Sequence, residues 1–548
     1  MMHSYLLYPD KAWMNEGAYD DMKSIIQDLG LDTIFRIASQ MYEEENGDVK
    51  KVLPPDPFIM ETMRKVMMVP IADRDTVYFR QEIMKDVLKV PEVATGLYEI
   101  STWVLKEWDK LGRHVKDKMS NKTDASRVMT QIRLVSLFVE GLAKIKTLLR
   151  EHKDELKSVG LTALAGRIED RFSDEREEKL RNLLKEIVFY VSNEQIQEER
   201  NMIQVPKIVM NCSVGNGLKM DDVKLVSVES KSQKYRDPNS PIAKVQEYMN
   251  SKVPDSFSLV KSAGLSEDGQ SLILAVVQFQ ISSCDPFVNE FAVFFDQLHL
   301  ESAFYTGAVL LQGHFKRFEL EYCFPTVGKQ EDLKFWDLKE AVMCIEQRVK
   351  AVGNTCEIQD KMLLVVTGAN QGGKSTFLRS IGIAQIMMQA GFFVAARSYE
   401  SGLFTSFFTH FTRREDSSMN SGRLDEELGR MSQIVDRLGP ATMILLNESF
   451  ATTTEKEGSV IAYDIIKALL EQGVKVLTVT HLLSFAQKVY EESLEKEERG
   501  EKVMSAFLSA ERKEDGRRTY RMIEHAPSLT SFGLDLYKQI VGEIPGFC

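Results

Sequence analysis

"KMLLVVTGANQGGKSTFLRSIGIAQI", Lys361 to Ile386, is the stretch that decides the fold. Five apolar residues, Met362 to Val366, read as a buried strand that runs into Thr367-Gly368. Gly368, four intervening residues and then Gly373-Lys374-Ser375 satisfy G-x-x-x-x-G-K-[ST]. A helix follows, with Phe377, Leu378, Ile381, Ala384 and Met388 facing inward and Gly391 near its end. The spacing has a physical purpose. Successive backbone N–H groups wrap a phosphate at a helix N-terminus, where the helix dipole also favours negative charge. Gly368, Ala369, Asn370, Gln371, Gly372, Gly373, Lys374, Ser375 and Thr376 are therefore the candidate nucleotide-binding residues. Lys374 is expected to reach the outer phosphates of ATP, and the Ser375 hydroxyl to ligate Mg²⁺.

Working outward, Met443 to Leu446 form a second apolar strand that delivers Asn447 and Glu448 to its C-terminal end. That is the side on which an open α/β sheet binds its ligand. Glu448 is a candidate general base for an attacking water. "VKVLTVTH" places His481 at the end of a third strand, within reach of a γ-phosphate or of that water. An aspartate in place of Asn447 would hold a Mg²⁺-bound water with a full charge. The asparagine carbonyl still accepts that hydrogen bond, without charge assistance. Binding of ATP with slow hydrolysis is the expectation. Strands and helices alternate from about 355 to the end, which predicts a mostly parallel sheet with helices on its faces.

The bulk numbers set the frame. A chain of 548 residues exceeds one core. Its net charge of -12 gives no general reason to expect nucleic-acid binding, which draws on Lys and Arg. Six scattered cysteines with no C-x-x-C pair argue against zinc clusters and a disulfide framework. The start lacks a basic and apolar leader, and the most apolar long stretch, Ile381 to Ala396, is interrupted by Gln385 and Gln389. A bilayer-spanning helix needs about 20 apolar residues. A cytoplasmic chain with no membrane partner is expected.

Residues 1–125 read as mainly helical. Val128, Ile132, Val135, Leu142, Ile145 and Leu149 then mark a one-sided helix, and "DEREEKLRNLLKEIVFY" continues the helical signal to about 200. Between about 202 and 280, "MIQVPKIVM", "DDVKLVSVES" and "SLILAVVQFQI" read as strands. Helix returns at about 285, with Phe291, Phe294, Phe295 and Leu298 on one face.

The order of the loop, Asn447-Glu448-x-x-x-Ala-Thr-Thr-Thr, strand-His481 and "TSFGLDLYKQIVGEIPG" resembles the MutS family of DNA mismatch-repair ATPases. "DRDTVYFRQEIMKDVL" (Asp73 to Leu88) and "ESAFYTGAVLLQ" (Glu301 to Gln312) look like pieces of that family's helical core. The resemblance implies a multidomain α and α/β architecture: a helical core, long lever helices, a small strand-rich clamp-like insertion and a P-loop ABC-type ATPase domain. Its segments here are 1–125 (core, first part), 126–200 (levers), 201–284 (clamp-like), 285–354 (return lever and core helices) and 355–548 (ATPase, with C-terminal dimerisation helices). It further implies ATP and Mg²⁺ as ligands, a homodimer and a DNA substrate.

Three departures from the family pattern matter. Core-like helices begin within the first hundred residues, so the usual mismatch-reading domains are not expected; the sequence runs out with the terminal helical segment, so a C-terminal nuclease domain is not expected either. "FVE" at Phe138 to Glu140 fits the family's F-x-E wedge but lies inside an amphipathic helix. The stretch expected to contact nucleotide on the opposite subunit, Ser417 to Leu428, offers Ser421 and Gly422 as trans contacts. Asp425, Glu426 and Glu427 in it would repel a phosphate, so they are expected to face elsewhere. The third departure is Asn447.

For DNA, "KSQKYR" supplies Lys231, Lys234 and Arg236 as phosphate contacts, or it is a solvated loop. Residues 201–270 hold nine Lys or Arg against eight Asp or Glu, so the segment is not basic overall. Two functions stay open. One is a homodimeric ATP-dependent DNA clamp acting in repair or recombination, on a branched or joined structure for example. The other is an ATP-gated protein scaffold that does not bind DNA. Classes whose long arms sit between the two nucleotide motifs fit poorly, because here those motifs lie about 70 residues apart.

Overall fold

Aspartates set the first long helices. In the computed structural model, which describes residues 3–11, 17–45, 48–116, 124–188, 207–214, 220–229, 285–369, 371–412, 422–513 and 517–527, helices α1 (Met22–Leu29) and α2 (Leu31–Ile37) lead to a hairpin, β1 (Tyr42–Glu45) and β2 (Asp48–Val52). Helix α3 (Pro57–Met67) follows, where the Asp56 carboxylate accepts from the Phe58 and Ile59 N–H groups and Pro57 takes the first helical position. Asp73 caps α4 (Arg74–Lys89) through the Thr76 N–H in the same way. Then come α5 (Pro91–Lys116), α6 (Asp124–Glu151), α7 (Val159–Arg171) and α8 (Asp174–Val188). Strands β3 (Lys207–Val214) and β4 (Met220–Glu229) pair antiparallel, and α9 (Asp285–Arg317) runs 33 residues, roughly 50 Å at 1.5 Å per residue.

The chain divides into two compact units. The first comprises Met1–Ser4, Gly96–Lys153 and Ala163–His299. Its core is aromatic: Phe138, fully buried, lies 5.7 Å from Phe295 and 5.6 Å from Trp108 between ring centroids. The F-x-E triplet is thus a core contact of a helix. Lys146, also buried, donates to Asp174 and Glu177 at the start of α8 and joins α6 to it.

The second unit, Tyr5–Thr95, Asp154–Thr162 and Leu300–Cys548, contains two larger sheets besides the β1–β2 pair. The smaller has the order β5 (Thr326–Val327), β9 (Ser398–Ser401), β6 (Leu333–Leu338), β7 (Asn354–Ile358). A return lever and core helices are expected over 285–354. Helix α9 fills the first part of that span, and β5, β6 and the short α10 (Ala341–Gln347) follow it.

The larger sheet has the order β10 (Ser406–Phe411), β11 (Thr442–Asn447), β12 (Lys475–Val479), β8 (Leu363–Thr367), β13 (Ser505–Arg512), β14 (Arg518–Glu524). All pairs but the last are parallel. Helix α11 (Lys374–Gln389) leaves β8, α12 (Arg423–Val435) lies between β10 and β11, α13 (Glu455–Glu471) between β11 and β12, and α14 (Leu483–Glu498) between β12 and β13. The central strands are apolar on both faces because helices cover both: Leu363 to Val366, Met443 to Leu446 and Val476 to Val479, with Thr478 the one polar residue, are all buried. Phe377, Leu378, Ile381, Ala384 and Met388 of α11 are buried as their spacing predicts. A mixed α/β chain results.

Candidate functional site

Register brings the site together. Asn447 is level with Val479, and Val479 with Val366, so the three strands end on one line. Beyond that line emerge Gly368, Glu448 and His481. Strand β12 sits beside β8, whereas the chain itself goes from β8 out to β10 before returning. Crevices at the C-terminal ends of such sheets are where α/β proteins bind ligands.

The loop between β8 and α11 takes conformations that glycine permits. Gly368 has φ +111° and Gly373 φ +91°. A Cβ on Gly368 would meet the Ala510 backbone N at 2.8 Å, so β13 lies directly against the loop. Gly373 caps α11, and the Phe377 N–H donates to its carbonyl at 2.8 Å. Lys374, buried, curls back and donates to the Gly368 and Ala369 carbonyls at 2.8 and 2.9 Å. Burial lowers its ammonium pKa, against the pull of the nearby Glu448 charge.

Two contacts define the centre. The Ser375 hydroxyl donates to the Asn447 Oδ1 at 2.9 Å. The His481 Nε2 lies 2.8 Å from the Glu448 Oε1. The hydrogen bond from His481 leads the lowering of the Glu448 pKa; the charges of His481 and Lys374 add to it, and burial opposes it. Oxygen donors at Ser375, Asn447 and Glu448 suit a hard cation such as Mg²⁺. Among the described residues no cluster of three or more His, Cys, Asp or Glu side chains could hold a metal ion.

Several contributors gave no signal in the sequence. Thr412, just past β10, donates through Oγ1 to the Glu448 carbonyl at 2.8 Å. Tyr520, at φ +60°, comes within 3.5 Å of where a Gly373 Cβ would stand. Arg518 donates to the Gln371 Oε1 at 2.9 Å. These residues lie far from the loop in sequence, and no periodicity marks them. Of the three acids in the trans stretch, Asp425 is exposed and Glu426 half-buried, while Glu427 is buried against residues 450–452. Gly422 caps α12. Asn370, Ser421, Lys231, Lys234, Arg236 and the segment Phe532 to Ile540 lie outside the described residues.

The sequence matches the MutS domain V family over residues 364–544 and the MutS2 N-terminal domain family over residues 72–196. The chain belongs to the MutS family. Among relatives, the DNA mismatch repair protein MutS of Thermotoga maritima is 32% identical over 128 residues, covering 23% of this chain and 16% of that protein. Endonuclease MutS2 of Latilactobacillus sakei is 31% identical over 147 residues, 26% of this chain and 19% of that protein. The DNA mismatch repair protein MutS of Chlorobaculum tepidum is 26% identical over 226 residues, 40% of this chain and 25% of that protein. The matched stretch thus spans a quarter or less of each relative's own length. Domain V of this MutS-family chain contains Lys374, Ser375, Asn447, Glu448 and His481. No helix among the described residues is long and apolar enough to cross a membrane.

Proposed function

We propose that this chain binds ATP with Mg²⁺ at the Gly368–Thr376 loop and hydrolyses it to drive a homodimeric clamp on DNA. The observation that carries the reading is the pair of contacts at one sheet edge, Ser375 to Asn447 at 2.9 Å and His481 to Glu448 at 2.8 Å, beside Lys374. Lys374 exchanges its two loop carbonyls for phosphate oxygens of the nucleotide. Ser375 donates its hydrogen bond to Asn447, which leaves the hydroxyl lone pairs for the cation. Ser375 and Asn447 would hold Mg²⁺, which when bound would offset negative charge on the nucleotide. Glu448 takes a proton from the attacking water, and His481 orients the carboxylate. Asn447 holds the Ser375 end without a full charge, so turnover is slow.

The larger assembly belongs to the same proposal. Residues 1–125 and 285–354 form the core with its return lever, 126–200 the levers, 201–284 the clamp-like region and 355–548 the ATPase domain. The lengths of α6 and α9 and the β3–β4 pair support it. Ser421 and Gly422 complete the partner's nucleotide site, the 532–540 segment packs on the partner, and Lys231, Lys234 and Arg236 contact DNA phosphates in repair or recombination. A nucleotide shared between subunits links binding to closure. The net charge of -12 favours a second reading, an ATP-gated protein scaffold of the same fold.

MgATP binding by the unaltered protein and by Lys374→Ala tests the site: the variant loses binding. Titrating several DNA shapes against salt, with and without ATP, separates the two assemblies. Affinity that falls steeply with salt supports the clamp, and no binding at low salt supports the scaffold.

A further inference from the structure

The turn that presents Glu448 is strained. Glu448 and Phe450 have φ of +56° and +65°, a region that residues with a Cβ seldom adopt. Such backbone persists only where its surroundings over-determine it. Three contacts hold it from the sheet. The Glu448 N–H donates to the Val479 carbonyl at 2.8 Å, Thr412 Oγ1 donates to the Glu448 carbonyl at 2.8 Å, and Ser449 Oγ donates to the His410 carbonyl at 2.8 Å. The His410 ring also stacks on Phe450, with centroids 5.6 Å apart.

The remaining hold comes from α12. Glu427 is buried, and its Oε2 accepts from the Phe450 N–H at 3.0 Å and from the Thr452 hydroxyl at 3.1 Å. Its own carbonyl faces the His410 Nε2 at 3.1 Å. A carboxylate is a costly acceptor to bury. Burial pushes the Glu427 carboxyl up, while the hydrogen bonds from Thr452 and Phe450 oppose that.

The geometry points to Glu427 as a positioning residue: by holding the Phe450 N–H and the Thr452 hydroxyl it fixes the left-handed turn, and so the direction of Glu448. This rests on the reading of Glu448 as the general base. It also means that the first turns of α12 cannot shift relative to β11 without disturbing Glu448. Glu427, one of the three acids expected to face away from a phosphate, turns onto the chain's own Glu448 turn.

The test compares Glu427→Gln, Glu427→Asp and Glu427→Ala by ATP turnover, by affinity for a fluorescent ATP analogue and by hydrogen exchange over residues 448–452. Gln keeps an acceptor at the same reach; Asp keeps the charge but falls one methylene short of Phe450. We expect Asp and Ala to lower kcat about tenfold or more with ATP affinity within about twofold, and Gln to stay within about threefold of the unaltered protein. Exchange at Phe450 quickens in Asp and Ala only. Should Ala fail to fold, the Asp and Gln pair decides alone. Full turnover in Asp, or a loss in Gln equal to that in Asp, overturns the assignment. So does a loss of affinity and thermal midpoint in proportion to turnover, which marks a merely structural role. Glu448→Gln runs alongside. If it turns over ATP like the unaltered protein, the general-base reading falls and takes this inference with it. If it is inactive while Glu427→Asp and Glu427→Ala are fully active, only the Glu427 assignment falls.

Discussion

The Ser375 hydroxyl donates to the Asn447 side-chain oxygen across 2.9 Å, tying the first turn of α11 to the end of β11. The contact explains how an asparagine can stand where a carboxylate would be expected. The acceptor remains, and only its charge is missing. Asn447→Asp therefore keeps the fold. A charge-assisted bond is roughly twice as strong as a neutral one, a gain of about 1 kcal/mol, or roughly fivefold in Mg²⁺ half-saturation or turnover. Measuring ATP turnover against Mg²⁺ concentration checks this.

The pH dependence follows from the His481–Glu448 pair. The folded-state pKa of Glu448 is lowered from 4.5, first by the hydrogen bond from His481. Its ionised form thus contributes stability above pH 4.5 that is lost as pH falls through the lower folded value. The acid limb of kcat/KM that reports Glu448 should lie below about 4.5. His481→Ala should move that limb upward. A limb unmoved by the substitution would mean that His481 does not set the carboxylate.

Gly368 and Gly429 make opposite predictions. Gly368→Ala combines φ +111° with a 2.8 Å clash against the Ala510 N. It should cost about 1–3 kcal/mol and weaken ATP binding. Gly429 lies within α12 with nothing inside 4 Å of a Cβ, so Gly429→Ala should gain about 0.5–1 kcal/mol. Urea unfolding of both variants, with nucleotide titration of the first, checks the pair.

Lys475 predicts a second pH effect, away from the site. Its buried ammonium donates to the Gln330 and Asp332 carbonyls at 2.7 and 2.9 Å, and burial lowers its pKa to about 7. The unfolded chain then binds more protons than the folded one from about pH 7 to 10.5, so this residue makes stability rise with pH across that window. The slope reaches at most about 1.4 kcal/mol per pH unit. The difference in unfolding free energy between the unaltered protein and Lys475→Met should show that rise between pH 7 and 9. A flat difference would contradict it.

Much of the larger sheet can be read from the sequence because its strands are covered on both faces. Met362 to Val366 and Met443 to Leu446 stand out as apolar runs, Val474 to Val479 as a Val-rich run broken by Lys475 and Thr478, and each is followed by a chemically distinctive residue. What the sequence leaves hidden depends on contacts distant in the chain. Glu427 reads as an acid to be turned away, and its partner Phe450 looks like an ordinary apolar residue. Thr412 and Tyr520 carry no pattern at all. The β1–β2 pair, within a segment read as mainly helical, does flank Asn46-Gly47, a dipeptide that favours hairpins. Strands β5 and β6 are short and pair with β9 across more than 60 residues, so local periodicity could not place them.

The most direct test is Mg²⁺-dependent ATP turnover by the unaltered protein and by Glu448→Gln, with nucleotide affinity measured on both. The account predicts slow turnover in the first. In the second it predicts a fall of about a hundredfold or more, the usual contribution of a general base, with affinity retained. Equal rates in the two proteins, or no nucleotide binding by either, would contradict it.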